Sequence, residues 1–402
     1  MQETDEKIKE KLIDFEKRIG DFFDQGKIPY LIHLSGGNED QLIEIFKEIE
    51  EGDYIFSTHR SHYHYLLAGG SEEELEKKIL EGNSMFVFDK KLNFLSSSIV
   101  AGTPSIAAGV AWALKRKGNK NKVWCFVGDG AEDEGNFCEA VRYVDGWDLP
   151  CIFVIEDNDR SVNTPKKERY GKGKINWPEC VRRYIYTPTY PHAGTGKQIK
   201  NFKPAKIEQE ATKDLESIEN NDLINLTQKI IYKDALKQTM ETLAQDPRTI
   251  FVGYNIKYGS ASGTLKDVPE DKRLETPLAE NLMTGLAMGM SLEGYKPILF
   301  FERQDFILCA MDAIINHLDK IKRLSKGQYQ FPVIIRAVVG AKKPIYPGIT
   351  HTQDFTKVFR ELLSFPVYEP KTSSDVLSSY KKAFSSNSPS MIVEKVELYG
   401  ES

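Results

Sequence analysis

Residues 123–130 read VWCFVGDG and residues 149–158 read LPCIFVIEDN, two apolar runs that each end in polar or turn-forming residues. Short runs of this kind are typical of buried strands in a parallel sheet. Between them, apolar side chains recur at the spacing of one helical face, at Phe137, Ala140, Val141 and Val144. The sequence therefore predicts a strand–helix–strand unit, whose right-handed crossover brings the carboxyl ends of both strands to one edge of the sheet.

Asp129 and Asn158 follow these two strands, and we expect them to lie side by side at that edge, where open α/β sheets bind ligands. Carboxylate, amide and backbone carbonyl oxygens are the hard ligands that Mg²⁺ or Ca²⁺ requires. Gly128 and Gly130 let the backbone approach a phosphate without a Cβ atom in the way. Gly-Asp-Gly alone is also common in ordinary turns, but its combination with Asn158 favours a metal–diphosphate site.

These residues resemble the fingerprint of enzymes that use thiamine diphosphate. The resemblance implies that Asp129, Asn158 and the backbone carbonyl of Arg160 hold Mg²⁺ (or Ca²⁺), and that the ion holds the cofactor's diphosphate. It also implies cofactor contacts for the residues of the turn itself, which are Gly128, Asp129, Gly130 and Ala131. Members of the family often have two asparagines where this chain has Asp157 and Asn158, so we expect the additional negative charge to matter unless it faces away.

Residues 56–65 read FSTHRSHYHY and contain three of the seven histidines. A zinc site would need further ligands, and no cysteine or carboxylate lies close by in the sequence. The segment resembles the Tyr-Arg-x-His segment in the α subunit of 2-oxoacid dehydrogenases. That resemblance implies that Arg60 contacts the diphosphate and that His62 is an active-site residue, with His59 and His64 as further candidates.

Two later loops also resemble the α subunit. Residues 96–104 read SSSIVAGTP, and the resemblance implies that Ile99 and Val100 lie against the aminopyrimidine, although an ordinary glycine- and proline-containing loop is the alternative. Residues 184–196 read YIYTPTYPHAGTG, where aromatic residues, prolines and glycines surround His192. A histidine in a comparable loop of the α subunits reaches the diphosphate, which implies the same contact for His192.

The second half of the chain contains its own motif, residues 275–289, which read ETPLAENLMTGLAMG. Glu280 in the first helical turn could simply favour the helix dipole. However, the run resembles the β subunit of the same dehydrogenases, in which a glutamate at this place activates the cofactor. The resemblance implies this catalytic role for Glu280, a cofactor contact for Phe306 and an active-site role for His351.

The chain has 402 residues, which favours two domains. We expect a diphosphate-binding domain at residues 1–204, a charged linker at 205–222 and a pyrimidine-binding domain at 223–402. The predicted fold class is α/β, with a mostly parallel sheet flanked by helices in each domain. The resemblance is to a fused α and β subunit without the C-terminal domain of the transketolase type. Because the family forms its sites at subunit interfaces, it also implies a homodimer.

Composition gives no indication of several other classes of protein. A net charge of -5 and a pI near 5.9 do not predict nucleic-acid binding. No apolar run approaches the roughly 18–20 residues that a membrane span needs, and the polar N-terminus is not typical of a signal peptide. Five cysteines without a C-x-x-C pair indicate reduced thiols and a cytoplasmic protein.

Together these observations predict a thiamine diphosphate- and Mg²⁺-dependent enzyme that decarboxylates a 2-oxoacid and passes the fragment to an acceptor, as a carboligase or by dehydrogenase-type transfer. Transketolase-like ketol transfer between sugars is one alternative, because the domain order is shared and several histidines could bind sugar hydroxyls. A non-catalytic relative is the other alternative, which the presence of Asp129, Asn158 and Glu280 disfavours.

Overall fold

The structure is a computed structural model that describes residues 4–170, 175–197, 230–341 and 347–401. The chain divides into two compact units, and the predicted linker at residues 205–222 lies outside the described residues. The first unit comprises Met1–Ile207 and Arg323–Tyr329, and the second comprises Glu208–Lys322 and Gln330–Ser402. Residues 323–329 therefore belong to the first unit, although they lie within the predicted second domain.

The first half of the chain forms seven of the described helices, which are α1 (Asp5–Asp24), α2 (Glu39–Phe46), α3 (His62–Leu67), α4 (Glu72–Leu80), α5 (Pro104–Arg116), α6 (Gly135–Gly146) and α7 (Lys166–Tyr170). Its described strands are β1 (Tyr54–Ser57), β2 (Phe88–Asp89), β3 (Phe94–Ser96), β4 (Val123–Gly128), β5 (Cys151–Asp157), β6 (Arg160–Ser161), β7 (Thr164–Pro165) and β8 (Val181–Ile185). Six strands make one sheet in the order β2-β3-β1-β4-β5-β8, with only the β2–β3 pair antiparallel.

The predicted strand–helix–strand unit is confirmed as β4, α6 and β5. Every residue from Val123 to Val127 is buried, and the four apolar residues predicted for the helix face are buried in α6. Burying one of the larger apolar side chains stabilises the folded state by about 1.5–3 kcal/mol. β4 and β5 pair in parallel as far as Gly128 opposite Glu156, so both strands end at the same edge of the sheet.

The second half of the chain forms α8 (Tyr232–Ala244), α9 (Glu280–Leu292), α10 (Ile321–Leu324), α11 (Thr356–Leu362) and α12 (Ser373–Ser385). Its described strands are β9 (Thr249–Gly253), β10 (Arg273–Glu275), β11 (Lys296–Phe301), β12 (Ile334–Val339), β13 (Val367–Tyr368) and β14 (Ser390–Lys395). They form an all-parallel sheet in the order β10-β9-β11-β12-β14-β13. The predicted α/β class, with two mostly parallel sheets flanked by helices, is confirmed.

The centre of the second unit combines an apolar helix with a buried ion pair. Residues 281–291 of α9 are all buried, as expected for a helix that is apolar on every side. Arg336 of β12 pairs with Glu394 of β14 at 2.7 Å, and both side chains are fully buried. Two tyrosine hydroxyls, from Tyr380 and Tyr399, also donate to this carboxylate, so its charge is satisfied within the core. No described helix is both long and apolar enough to cross a membrane.

Candidate functional site

A cavity in the first unit lies at the carboxyl edge of its sheet. It is lined by all the cofactor-binding residues that the sequence predicts in this half of the chain, namely Arg60, Ile99, Val100, Gly128, Asp129, Gly130, Ala131, Asn158, Arg160 and His192. These residues come from separate loops that follow different strands. The sheet topology brings them together, as expected for a ligand site of an open parallel sheet.

Asp129 and Asn158 are held at this edge by the ends of β4 and β5. The Asp129 side chain is 1% exposed, and burial raises the pKa of its carboxyl, against the opposing effect of Lys166. Asn158 Oδ1 accepts a hydrogen bond of 3.0 Å from the Arg160 amide, which closes a tight turn. The β-branched Val162 lines the same cavity at a φ of 56°, a backbone conformation that such residues rarely adopt.

The two glycines of the turn have different surroundings. A Cβ atom at Gly128 would meet no protein atom within 4 Å, so this glycine faces open space. A Cβ atom at Gly130 would lie 2.8 Å from Ser161 Oγ. Gly130 therefore allows the turn to pack against the β6 strand, whereas Gly128 leaves room for a ligand.

Asp157, the departure from the family pattern, does not line the cavity. Its carboxylate pairs with Lys166 and, at 2.5 Å, with Arg183, while its Oδ1 accepts from the Asp159 amide at 3.0 Å. Burial opposes ionisation, but these hydrogen bonds outweigh it and lower the pKa of Asp157. The additional negative charge is thus present and compensated locally by two cations.

The histidine segment divides into two groups. His59 and Arg60 line the cavity, whereas His62 and His64 do not. His62 is fully buried, with Nδ1 2.9 Å from Glu16 Oε1 and Nε2 3.0 Å from Ser84 Oγ. The prediction that His62 faces the reaction centre therefore needs correction, because α3 begins at His62 and both of its ring nitrogens are engaged within the core.

His64 is also engaged in the core. Its Nδ1 lies 2.7 Å from Ser57 Oγ and its Nε2 lies 3.2 Å from Glu156 Oε1. The ring stacks on Phe126 with a centroid separation of 4.2 Å. Like His62, it packs behind the residues that line the cavity and does not line it itself.

Sequence reasoning missed His33, which completes a cluster with His59 and His192. One ring nitrogen of each residue lies within 4.8 Å of the others. His33 Nδ1 lies 2.6 Å from the His192 carbonyl oxygen, and burial lowers the pKa of His33 to about 4. Burial likewise lowers the pKa of His59 and of His192, which favours the neutral form of all three imidazoles. The one local signal for His33 was its position just before the Gly36-Gly37 turn.

Neutral imidazoles can bind a divalent cation, but Arg60 disfavours one here. Its guanidinium lies 3.3 Å from His59 Nε2 and donates to the His192 carbonyl oxygen at 3.0 Å. Among the residues that the structure describes, no carboxylate pairs with Arg60. An uncompensated guanidinium repels a second cation and attracts an anion. The cluster is therefore suited to a phosphate, a carboxylate or a hydroxyl-bearing ligand.

In the second unit, Glu280 is the first residue of α9, and its side chain is half-buried. Tyr254, which sequence reasoning missed, lies close by. Burial, followed by the negative charges of Glu280 and Glu302, raises the pKa of the Tyr254 hydroxyl. That hydroxyl is buried without a hydrogen-bond partner among the described residues.

Phe306 and His351 contact each other in the same unit. Their rings are perpendicular, at 89°, with centroids 5.2 Å apart. Asp305 Oδ1 accepts from the Gln353 side chain at 2.9 Å, which fixes the segment that carries His351. A Cβ atom at Gly340 would lie 2.1 Å from the His351 carbonyl oxygen, so only glycine permits this approach.

Comparison with known proteins matches each half of the chain to a family. Residues 9–175 match the family model described as dehydrogenase E1 component, and residues 228–401 match the one described as transketolase, pyrimidine binding domain. The chain is 34% identical over 161 residues to the α subunit of acetoin:2,6-dichlorophenolindophenol oxidoreductase from Bacillus subtilis, covering 38% of this chain and 48% of that protein. It is 30% identical over 182 residues to the β subunit of the mitochondrial pyruvate dehydrogenase E1 component from Saccharomyces cerevisiae, covering 44% and 49%.

The chain spans about half the length of the curated relatives it matches. Among solved structures, transketolase from Campylobacter jejuni superimposes with a TM-score of 0.69 at 15% identity, covering 98% of this chain and 79% of that one. At this identity the likeness concerns the fold. The predicted resemblance is confirmed: the chain joins a dehydrogenase E1-type domain to a transketolase-type pyrimidine-binding domain, and it resembles a fused α and β subunit of the 2-oxoacid dehydrogenase E1 component.

Proposed function

We propose that this protein is a thiamine diphosphate- and Mg²⁺-dependent enzyme that decarboxylates a 2-oxoacid and passes the fragment to an acceptor. One observation carries the proposal. The same cavity contains a set of oxygen ligands and a cation that no described carboxylate compensates. Asp129, Asn158 and Arg160 supply a carboxylate, an amide oxygen and a backbone carbonyl, and all three line the cavity. Arg60 lines it too, without a carboxylate partner among the described residues.

These residues fit a magnesium diphosphate. Hard oxygen ligands suit Mg²⁺. Because Gly128 has no Cβ atom, the space beside its backbone stays open for a ligand. The planar guanidinium of Arg60 would bind two phosphate oxygens at once. His59, rather than His62, would present its neutral ring to the ligand. His192 would be a second diphosphate contact, while Ile99 and Val100 would pack against the organic part.

When bound, thiamine diphosphate supplies the carbon nucleophile and the electron sink that 2-oxoacid decarboxylation requires. The role we propose for Glu280 is to hold a proton at a pyrimidine nitrogen, and a half-buried carboxylate at the start of a helix can do so. His351 would exchange protons with the substrate, as histidines commonly do in general acid–base catalysis. Phe306, in contact with His351, would fix the orientation of that ring.

The test is to mix the protein with Mg²⁺, thiamine diphosphate and a panel of 2-oxoacids and ketose phosphates, and to measure CO₂ release and the mass of the acid-quenched cofactor. We expect CO₂ from one 2-oxoacid and a donor fragment on the cofactor, both lost in Asp129→Ala. Fragment exchange from a ketose without CO₂ would instead establish ketol transfer, the second candidate. The neutral cluster of His33, His59 and His192, suited to hydroxyl groups, is the observation that favours this candidate. Failure to bind the cofactor would leave the non-catalytic alternative.

We further propose a homodimer in which Glu280 of one copy serves the cavity of the other, as the resemblance implies. The second unit exposes large apolar side chains that a partner could cover, including Tyr258 at 81% and Leu278 at 74%. Mixing inactive Asp129→Ala and Glu280→Gln proteins tests this directly. If the site forms between copies, mixed dimers contain one intact site and activity returns. Activity that stays absent in dimers shown to have exchanged subunits would contradict the proposal.

A further inference from the structure

Seven charged side chains cluster around the ends of β4 and β5. The carboxylates belong to Asp129, Glu132, Asp133 and Asp157, and the cations belong to Lys166, Arg169 and Arg183. Lys166 and Arg169 lie on the short helix α7, and Arg183 lies on β8. The cluster thus joins the proposed metal ligand Asp129 to cations from two other elements.

Lys166 lies within ion-pair distance of three of these carboxylates. Its ammonium pairs with Asp157 and lies 3.7 Å from Glu132 Oε2 and 3.8 Å from Asp129 Oδ2. Neither Lys166 nor Asp157 lines the cavity. The ammonium is therefore held behind the cavity wall, within reach of Asp129 but bound more closely to Asp157.

The consequence for Asp129 depends on that difference in distance. Arg169 already donates to Asp129 Oδ2 at 2.7 Å. If Lys166 moved from 3.8 Å to hydrogen-bond distance of Asp129, two cations would donate to one carboxylate. The affinity of that carboxylate for a divalent ion would then fall, because Coulomb repulsion grows as the charges approach. Asp157 offers Lys166 a nearer partner.

We propose that Asp157 is a positioning residue: it retains Lys166 and thereby keeps a second cation from donating to Asp129, the proposed ligand of the metal ion. This inference rests on the proposed function, because it assumes that Asp129 binds the ion. It gives a physical reason for a carboxylate at position 157, where an uncharged amide would leave Lys166 free to move onto Asp129. Because Asp157 pairs with Lys166 and does not line the cavity, it would act on the ion through Lys166.

The experiment measures Mn²⁺ binding, by the electron paramagnetic resonance signal of the free ion, in the full-length protein with thiamine diphosphate present. Asp157→Asn is introduced into three backgrounds: wild type, Lys166→Met and Lys167→Met. Lys167→Met is the matched control. It removes the same charge from the same helix, but Lys167 is not a partner of Asp157. Thermal midpoints in EDTA establish that each variant folds, and Lys166→Gln replaces Lys166→Met if that variant does not.

We expect Asp157→Asn to weaken Mn²⁺ binding about tenfold in the wild-type and Lys167→Met backgrounds, within the coupling range of contacting residues. In the Lys166→Met background the same change should alter the affinity less than about twofold, because no ammonium remains to move. An equal weakening in all three backgrounds would show that Asp157 acts through its own charge and would overturn the inference. No Mn²⁺ binding by the wild-type protein would instead refute the proposed metal site.

Discussion

His62 Nδ1 lies 2.9 Å from Glu16 Oε1, and both side chains are completely buried. The same carboxylate oxygen accepts from the Ser35 amide at 2.9 Å. Ser35 lines the cavity, so Glu16 connects helix α1 and the start of α3 to the wall of the proposed site. The pair is therefore part of the scaffold, which is a different role from the one that the sequence predicted for His62.

We predict that Glu16→Ala lowers the free energy of unfolding of the first unit by about 3 kcal/mol, because it leaves the His62 ring and the Ser35 amide buried without their acceptor. Urea denaturation followed by far-UV circular dichroism measures this loss. Glu10→Ala, on the exposed face of the same helix, is the control and should change stability by less than about 0.5 kcal/mol. Equal losses in the two variants would contradict the scaffold role of Glu16.

Replacing Gly128 tests the shape of the cavity separately from the stability of the fold. Gly128 has φ −76° and ψ 162°, which alanine adopts readily, and its Cβ atom would meet no protein atom. We predict that Gly128→Ala folds with unchanged or slightly higher stability but binds thiamine diphosphate roughly tenfold more weakly, because the methyl group enters the ligand's space.

Isothermal titration with thiamine diphosphate at saturating Mg²⁺ measures the effect of Gly128→Ala. Gly135→Ala is a matched control, since its Cβ atom would also be unobstructed and Gly135 does not line the cavity. Gly135→Ala should leave the affinity unchanged. If Gly128→Ala binds as tightly as wild type, the diphosphate does not lie against this turn.

Gly340 controls the position of His351 in the second unit. Because a Cβ atom there would lie 2.1 Å from the His351 carbonyl oxygen, Gly340→Ala must displace one of the two segments. We predict a loss of about 1–3 kcal/mol in the unfolding free energy, together with lower turnover, measured by urea denaturation and by the CO₂ assay. Gly400→Ala, whose Cβ atom meets nothing within 4 Å, should change neither quantity. Unaltered turnover in a destabilised Gly340→Ala protein would count against His351 as a proton carrier.

The sequence was sufficient to locate the cavity residues that follow strand ends. Asp129 and Asn158 are placed by the register of β4 and β5, which depends on local apolar runs and one crossover. The partners of Asp157 were not visible in this way. Lys166 and Arg183 lie 9 and 26 positions further along the chain and meet it only after α7 and β8 have packed.

The histidines illustrate the same limit. The sequence grouped His59, His62 and His64 because they are neighbours, but α3 begins between them and turns His62 and His64 into the core. His33 joins His59 across the fold, with ring centroids 4.6 Å apart, and no local pattern connects the two. Which histidines face a cavity depends on side-chain direction at an element boundary, where pattern reasoning is weakest.

The buried His33 predicts a specific dependence of stability on pH. Burial lowers its pKa to about 4 in the folded protein, while the His192 carbonyl only partly opposes the shift. Unfolded histidine titrates near 6.5, so between these values the unfolded chain binds more protons than the folded one. The contribution of His33 is therefore complete above about pH 6.5, falls as the pH drops from there toward about 4, and is lost below that.

We expect this window to account for up to about 3 kcal/mol of unfolding free energy between pH 7 and pH 4. Other groups also titrate there, so the informative quantity is the difference between wild type and His33→Gln, measured by urea denaturation at half-unit steps of pH. The variant lacks the titrating ring, and its stability should fall less steeply with acid, so that the two curves converge toward pH 4. Curves that stay parallel through this window would mean that His33 has about the same pKa in the folded as in the unfolded protein, near 6.5. That outcome would contradict a ring whose pKa is lowered by burial beside Arg60.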